Sequence, residues 1–388
     1  MVYLDHAATT PMLPEAVQAM TAQLTVTGNA SSLHADGRRA RRTVEEARES
    51  LAVSLGARPS EIVFTAGGTE ADNLAVKGLY WARRAADPAR TRVLASPVEH
   101  HAVLDAVEWL AEHEGARVEW LPVDTYGRVH AGALREAIAR NPADVALATV
   151  MWANNEIGTL QPVRELAEAA AEFEIPLHAD AVQAFGQLEV DFAASGLAAM
   201  TVSGHKIGGP YGIGALVLGR EYAPVPVLHG GGQERHVRSG TLDTPPSPPS
   251  PRPAGMPSPT ARTSPATSGA ARRPGQGRTR RRPRRRPRRR PGPRGPPPGQ
   301  CPLLLPRLRG RLLLLLLDAQ GIACSTGSAC TAGVAQPSHV LLATGMSPEL
   351  ARGTLRFSLG HTSTAEDVAA LAQAIGPVVE RARSAGLS

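Results

Sequence analysis

Lysine is almost missing from this chain of 388 residues: Lys77 and Lys206 stand against forty arginines. Where a side chain need only be cationic, arginine serves, so a retained lysine points to a position whose chemistry demands an amine. Arginine's pKa stays above about 12, and it never becomes the neutral amine that attacks a carbonyl. Cysteine is scarce as well. Cys301, Cys324 and Cys330 are too few for a disulfide framework and lack zinc-ligand spacing, which leaves a reactive thiol as the functional use of cysteine. No apolar run reaches the roughly 20 residues that span a bilayer, and no charged and apolar leader precedes "MVYLDHAATTP". The expectation is a cytoplasmic protein without a membrane partner. Acidic residues are absent from 244–311, which holds eighteen arginines. The other residues set 22 arginines and 2 lysines against 35 acids, a net charge of minus eleven. The formal charge of +7 therefore describes an acidic protein with one basic segment, and nucleic acid is not expected as a partner.

What the chain does contain is alternation. Between about 40 and 220, apolar strand-like runs ("EIVFTA", "RVLASP", "DVALATVMW", "IPLHADAV") alternate with amphipathic helical ones ("EADNLAVKGLYWARR", "HAVLDAVEWLAEH", "VRELAEAAAEF"). This is the pattern of an α/β domain with a mostly parallel sheet, whose ligands sit at the carboxyl ends of the strands. The stretch from "GIACSTGSACTAG" through "SPELARGTLRFSLG" to "TAEDVAALAQAIGPVVERAR" predicts a smaller α+β unit. The chain divides into an N-terminal arm (1–14), a large domain (15–243), a Pro/Arg-rich segment (244–311) and the remainder of a small C-terminal domain (312–388).

The segment 244–311 has almost nothing apolar before Leu303 and cannot repay the entropy of ordering. Nearly seventy such residues are long for a loop inside a compact protein. Two readings stand: a disordered insert, or a stretch whose coding frame has shifted, since a one-base shift turns GC-rich helix codons into Pro and Arg runs. Reading the codons of 300–311 one base later permits an ordinary strand and turn that run straight into "LLLLLDAQGIACS".

Lys206 is the candidate for covalent amine chemistry, of which a Schiff base to pyridoxal 5'-phosphate is the commonest form. Lys77, at a helix end, reads as a chance survivor. Gly67, Gly68 and Thr69 of "FTAGGTEADNLAV" stand at a strand-to-helix turn where backbone N–H groups and a hydroxyl can hold a phosphate, or which is only a turn. Asp180 of "LHADAVQ" ends an apolar strand; its carboxylate can pair with a protonated pyridine nitrogen or cap a helix. Ser203 and His205 flank the lysine and can add phosphate donors.

In order along the chain, "YLDHAATTP", "GNASSLHADGRRAR", "FTAGGTEADNLAV", "VEHHAV", "NNEIGTLQP", "HADAVQAFG", "SGHKIGGPYGIGAL", "HGGGQERHVRSGT", "GSAC" and "RFSLG" resemble the class V, fold-type I pyridoxal phosphate enzymes, and among them the cysteine desulfurases. The resemblance covers residues 1 to about 245 and 313–388. It implies that Lys206 carries the cofactor, that His100 stacks on its ring and moves protons, and that Asp180 meets the ring nitrogen. Asn155 and Gln183 would bond the phenolic oxygen, with Asn155 also at the substrate. Gly68, Thr69, Ser203 and His205 would hold the phosphate, joined by Thr241 from the neighbouring subunit of a homodimer. Arg356 would clamp the carboxylate of L-cysteine. Cys330 would take the sulfur as a persulfide, leaving alanine, and pass it to an acceptor such as an iron–sulfur scaffold or a tRNA thiolation protein. Cys324 has no such match and reads as structural or as an incidental thiol. No metal is implied. The chain departs from the family at Tyr211, where lysine is usual, and at His236, where glycine often follows "ER". Two alternatives remain: a selenocysteine lyase or other class V aminotransferase, which would share Lys206 and Asp180, and an inactive scaffold whose Arg tract binds polyanions. The tract lacks the interleaved aromatics that stack on bases.

Overall fold

The computed structural model describes residues 1–242, 300–304, 308–327 and 336–384. The strands, in chain order, are β1 (Val2–Tyr3), β2 (Ile62–Thr65), β3 (Arg92–Ala95), β4 (Arg117–Trp120), β5 (Val145–Thr149), β6 (Leu177–Asp180), β7 (Ala199–Ser203), β8 (Gly214–Leu218), β9 (Gln300–Leu304), β10 (Ile322–Ala323), β11 (Ser325–Thr326) and β12 (Thr354–Ser358). The first helices are α1 (Pro14–Leu24), α2 (Ala35–Ser54), α3 (Gly68–Ala86) and α4 (His101–Glu114), of which α3 and α4 begin at the site.

Seven strands form the central sheet in the order β2-β8-β7-β6-β5-β3-β4, parallel except for the pairs that β8 makes with β2 and β7. Strands β2, β3, β5, β6, β7 and β8 are buried at every residue. Continuous runs such as "VALAT" have no polar face to give to solvent, so helices must cover both sides. α3 and α4 pack on one of them, through Val76, Tyr80, Val103 and Val107. The mostly parallel α/β sheet expected from the alternating pattern is the sheet observed.

Glycine is required where β2 turns into α3. Gly67 has φ +153°, and a Cβ on Gly214 of β8 would stand 2.6 Å from the Gly67 carbonyl carbon. The close approach leaves no room for a side chain at Gly214, while at Gly67, where a Cβ would meet nothing within 4 Å, it is the backbone conformation that calls for glycine.

The smaller unit is an antiparallel sheet, β11-β12-β9, packed on the helices Gly310–Asp318 and Ala365–Ser384 through Leu313, Leu317, Leu355, Phe357 and Val378. Gln300–Leu304 lies inside the stretch set apart as Pro/Arg-rich, yet forms β9 against β12, with Leu303 packed on this core. It is a sheet edge, where a proline such as Pro302 is tolerated. Residues 243–299 and 305–307 lie outside the described residues, so the two readings of the Arg tract are not addressed by the fold.

The arm belongs to the small unit as much as to the large one. β1 pairs with β10 in parallel, the Leu4 N–H donates to the Ala323 carbonyl at 2.9 Å, and the Ala7 N–H donates to Ser358 Oγ at 2.8 Å.

Candidate active site

The strands β2, β3, β5, β6 and β7 end on one edge of the sheet, and a pocket opens there. β7 runs into a short 3-10 turn, Gly204–Lys206, that turns Lys206 into the pocket. Its Nζ donates to the carbonyl oxygens of Ala7 and Ala8 at 2.5 and 2.7 Å. Gln183 Nε2 reaches the same Ala7 carbonyl at 2.8 Å. The arm therefore forms one wall of the pocket, a contribution that the sequence motif "YLDHAATTP" did not disclose because it is made by backbone oxygens.

Asp180 closes β6 and is 4 % exposed. Its Oδ1 accepts the Val182 N–H at 2.8 Å, so it serves the local turn as well as the pocket. Burial lifts its pKa to about 6, against the lowering effects of that hydrogen bond and of Lys206. His100 is the N-cap of α4, with Nδ1 accepting the Ala102 N–H at 3.1 Å. Burial first, and then the Lys206 charge, bring its pKa down to about 4, so the ring is neutral at pH 7. His205 is lowered to about 4 by the same two causes in the same order.

Gly68 and Thr69 open α3, whose first N–H groups have no intrahelical partners. A Cβ on Gly68 would stand 3.0 Å from Val182 and 3.5 Å from Ser203 Cβ, which shows how closely this turn lies against the ends of β6 and β7. Gly68, Thr69, Ser203 and His205 all line the pocket, with Gly68 against Ser203, a set of donors suited to an anion.

Arg356, on β12, enters from the small unit and is 1 % exposed. Its Nη2 pairs with Asp5 Oδ1 at 2.9 Å and its Nη1 donates to the Asn155 carbonyl at 2.9 Å. Its Nε is buried without a hydrogen-bond partner, a donor available to a carboxylate. Asn155 lines the pocket beside it.

Lys206, His100, Asp180, Asn155, Gln183, Gly68, Thr69, Ser203, His205 and Arg356 are therefore brought together. Thr241 is not. It is exposed on another wall of the large domain, near Arg238 and Ala66. Cys330 lies outside the described residues. Cys324 is buried in the small unit, where burial, with Asp5 and Asp318 nearby, pushes its thiol up to about 12. That is the environment of an inert, packed thiol. Lys77 stands 4.1 Å above the Trp109 ring, away from the pocket. Among the described residues no His/Cys/Asp/Glu group could hold a metal, and no helix is long and apolar enough to cross a membrane.

Two buried carboxyl groups escaped the sequence reading. Asp72 lines the pocket one helical turn after Gly68, and Glu99 precedes His100. The four-residue spacing from Gly68 to Asp72 places both on one face of α3, and was the available signal. The donor set fits a phosphorylated heteroaromatic ring with a cationic nitrogen: anion donors from the Gly68 turn and the end of β7, a carboxylate at the end of β6, and an amine in the same pocket.

Comparison with known proteins agrees with this geometry. The family described as aminotransferase class-V matches at residues 2–261 and 293–371. An IscS-like cysteine desulfurase of Mycobacterium tuberculosis (strain ATCC 25618 / H37Rv) is 53 % identical over 399 residues, covering 100 % of this chain and 98 % of its own. Cysteine desulfurase IscS of Methanosarcina thermophila is 39 % identical over 388 residues, covering 99 % and 93 %. Among solved structures, SspA in complex with cysteine superposes with a TM-score of 0.75 at 30 % identity, over 94 % of this chain and 100 % of that one. The chain belongs to the class-V aminotransferase family and, within it, to the cysteine desulfurases.

Proposed function

We propose that the pocket holds pyridoxal 5'-phosphate on Lys206 and that the chain uses it to convert L-cysteine to L-alanine, with the sulfur received by Cys330. The observation that carries the reading is the meeting of Lys206, Asp180, neutral His100 and buried Arg356 in one pocket that anion donors also line. The bound cofactor supplies an electron sink for the bonds at the substrate Cα.

The protein's own residues do the rest. Gly68, Thr69, Ser203 and His205 hold the phosphate, and Asp180 holds the ring nitrogen. Arg356, fixed by Asp5 and the Asn155 carbonyl, offers its Nε–H to the substrate carboxylate. Lys206 would hold the cofactor, and its ammonium form, within hydrogen-bond reach of the Ala7 and Ala8 carbonyls, would carry a proton there. His100, neutral at pH 7, can accept a proton from the Cys330 thiol or return one. The Cys330 thiolate attacks the substrate sulfur: an S–S bond forms, the C–S bond breaks, and the carbon takes a proton. One cysteine and one thiol become one alanine and one persulfide. In this proposal Thr241 completes the phosphate site of the partner subunit in a homodimer, and the persulfide passes to a cytoplasmic acceptor, an iron–sulfur scaffold or a tRNA thiolation protein.

A Cys330→Ser variant tests the reading. It should keep the yellow colour of the loaded protein and lose alanine and sulfide production from cysteine by at least 100-fold, on the scale of removing a covalent catalyst. Full activity in that variant would sink the persulfide route, and a colourless wild type would sink the cofactor.

A further inference from the structure

Around Asp180 the structure buries more carboxyl groups than its cations offset. Asp72 is 1 % exposed and Glu99 0 %. Asp72 Oδ1 and Glu99 Oε2 have no hydrogen-bond partner. Glu99 Oε1 accepts the Met151 N–H at 2.6 Å, and Asp72 is bonded to the Thr201 side chain. From β6, His178 packs into the group with Nε2 3.6 Å from Asp72 Oδ1, 3.1 Å from Thr201 Oγ1, and Nδ1 3.0 Å from Thr149 Oγ1. Burial holds His178 down to about 3, so it brings no charge. Lys206 is the cation that acts on Asp180.

Three neighbouring carboxyl groups in a low-dielectric interior cannot all ionise against one cation. Burial, and then the Asp180 charge, hold Asp72 well above the usual carboxylate range, and burial lifts Glu99 to about 8. The surroundings accept either state of Asp72. The Thr201 hydroxyl donates to an ionised Asp72 while accepting from His178 Nε2–H, and with both hydroxyl and tautomer reversed it accepts from a protonated one.

We propose that Asp72 and Glu99 form, with Asp180, a buried proton store: a cationic ring nitrogen arriving at Asp180 adds a second positive charge, and the store answers by releasing a carboxylic proton to solvent. The inference rests on the cofactor reading above. It makes Asp72 and Glu99 positioning residues for charge at the pocket floor, where Asp180 alone would otherwise set it.

The test uses the full chain freed of cofactor and pyridoxine 5'-phosphate, which has the ring and the phosphate but no aldehyde to join Lys206. Calorimetric titration in two buffers of different ionisation enthalpy counts protons released on binding. Wild type should release about one proton more than the Asp72→Asn/Glu99→Gln protein, and its affinity should strengthen more steeply with pH, by up to about tenfold per unit. Failure of wild type to bind the probe overturns the cofactor reading and this inference with it. Binding with equal proton counts overturns the inference alone. Should the double variant not fold, Glu99→Gln by itself makes the comparison, and a wild-type count of zero overturns the proposal whatever the variants do.

Discussion

His236 stands where the resemblance to the cysteine desulfurases leads one to expect glycine, and its backbone conformation is one that favours glycine. His236 has φ +62° and Arg235 φ +52°, so two consecutive side chains sit in the left-handed region. Histidine tolerates this region and β-branched residues do not. His236→Gly should change the urea midpoint little, within about 0.5 kcal/mol, while His236→Val should cost about 1–2 kcal/mol. Equal midpoints for the two variants would mean that the loop relaxes out of this conformation. Residue by residue, the site was unevenly legible. Lysine depletion exposed Lys206 because an amine has a chemistry that arginine lacks. Asp72 and Glu99 stayed hidden because a carboxylate in "GGTEADN" or "SPVEHH" looks like any solvated charge until burial is known. The Ala7 and Ala8 contribution is made by carbonyl oxygens that every residue type possesses.

The segment that carries His236 is held to the large domain by ion pairs that cross elements. Arg48, on α2, donates from Nη1 and Nη2 to Glu234 at 2.8 and 2.6 Å, and Glu234 Oε2 also accepts the Phe64 N–H of β2 at 3.0 Å. Glu234 is fully buried and Arg48 is 4 % exposed. A second pair, Arg238 to Glu70 at 2.7 Å, ties the same segment to the first turn of α3. Glu234→Gln strips the buried one of two charge partners from a buried guanidinium, leaving it Glu45 at 3.2 Å, and should destabilise by about 3 kcal/mol. The double change Arg48→Met/Glu234→Leu should recover most of that loss in the same urea experiment, and no recovery would show that the cost lies in the Phe64 hydrogen bond. Elements of the large domain could be read from the sequence because long buried runs and amphipathic helices have a period. β1, β10 and β11 could not, since two residues have none.

Over the whole molecule, charge and family coverage point to the same interval. The class-V family matches up to 261 and again from 293, and the residues skipped between hold most of the arginines that turn an acidic chain basic. Resequencing the gene across codons 240–315 should reveal compensating base insertions or deletions that restore an ordinary small-domain sequence and an acidic protein. Confirmation of the written codons would make the Arg tract a true insert and would require a salt-dependence test of polyanion binding. The arm has a consequence of another kind. Its residues 2–8 meet partners at 321–358 and hydrogen-bond Lys206 from the far side, so contacts spanning some 350 positions complete the pocket wall. Ribosomes deliver those partners last. During synthesis the Lys206 amine is exposed long before its carbonyl wall can close, and any free aldehyde in the cell meets it first in an unfinished enzyme.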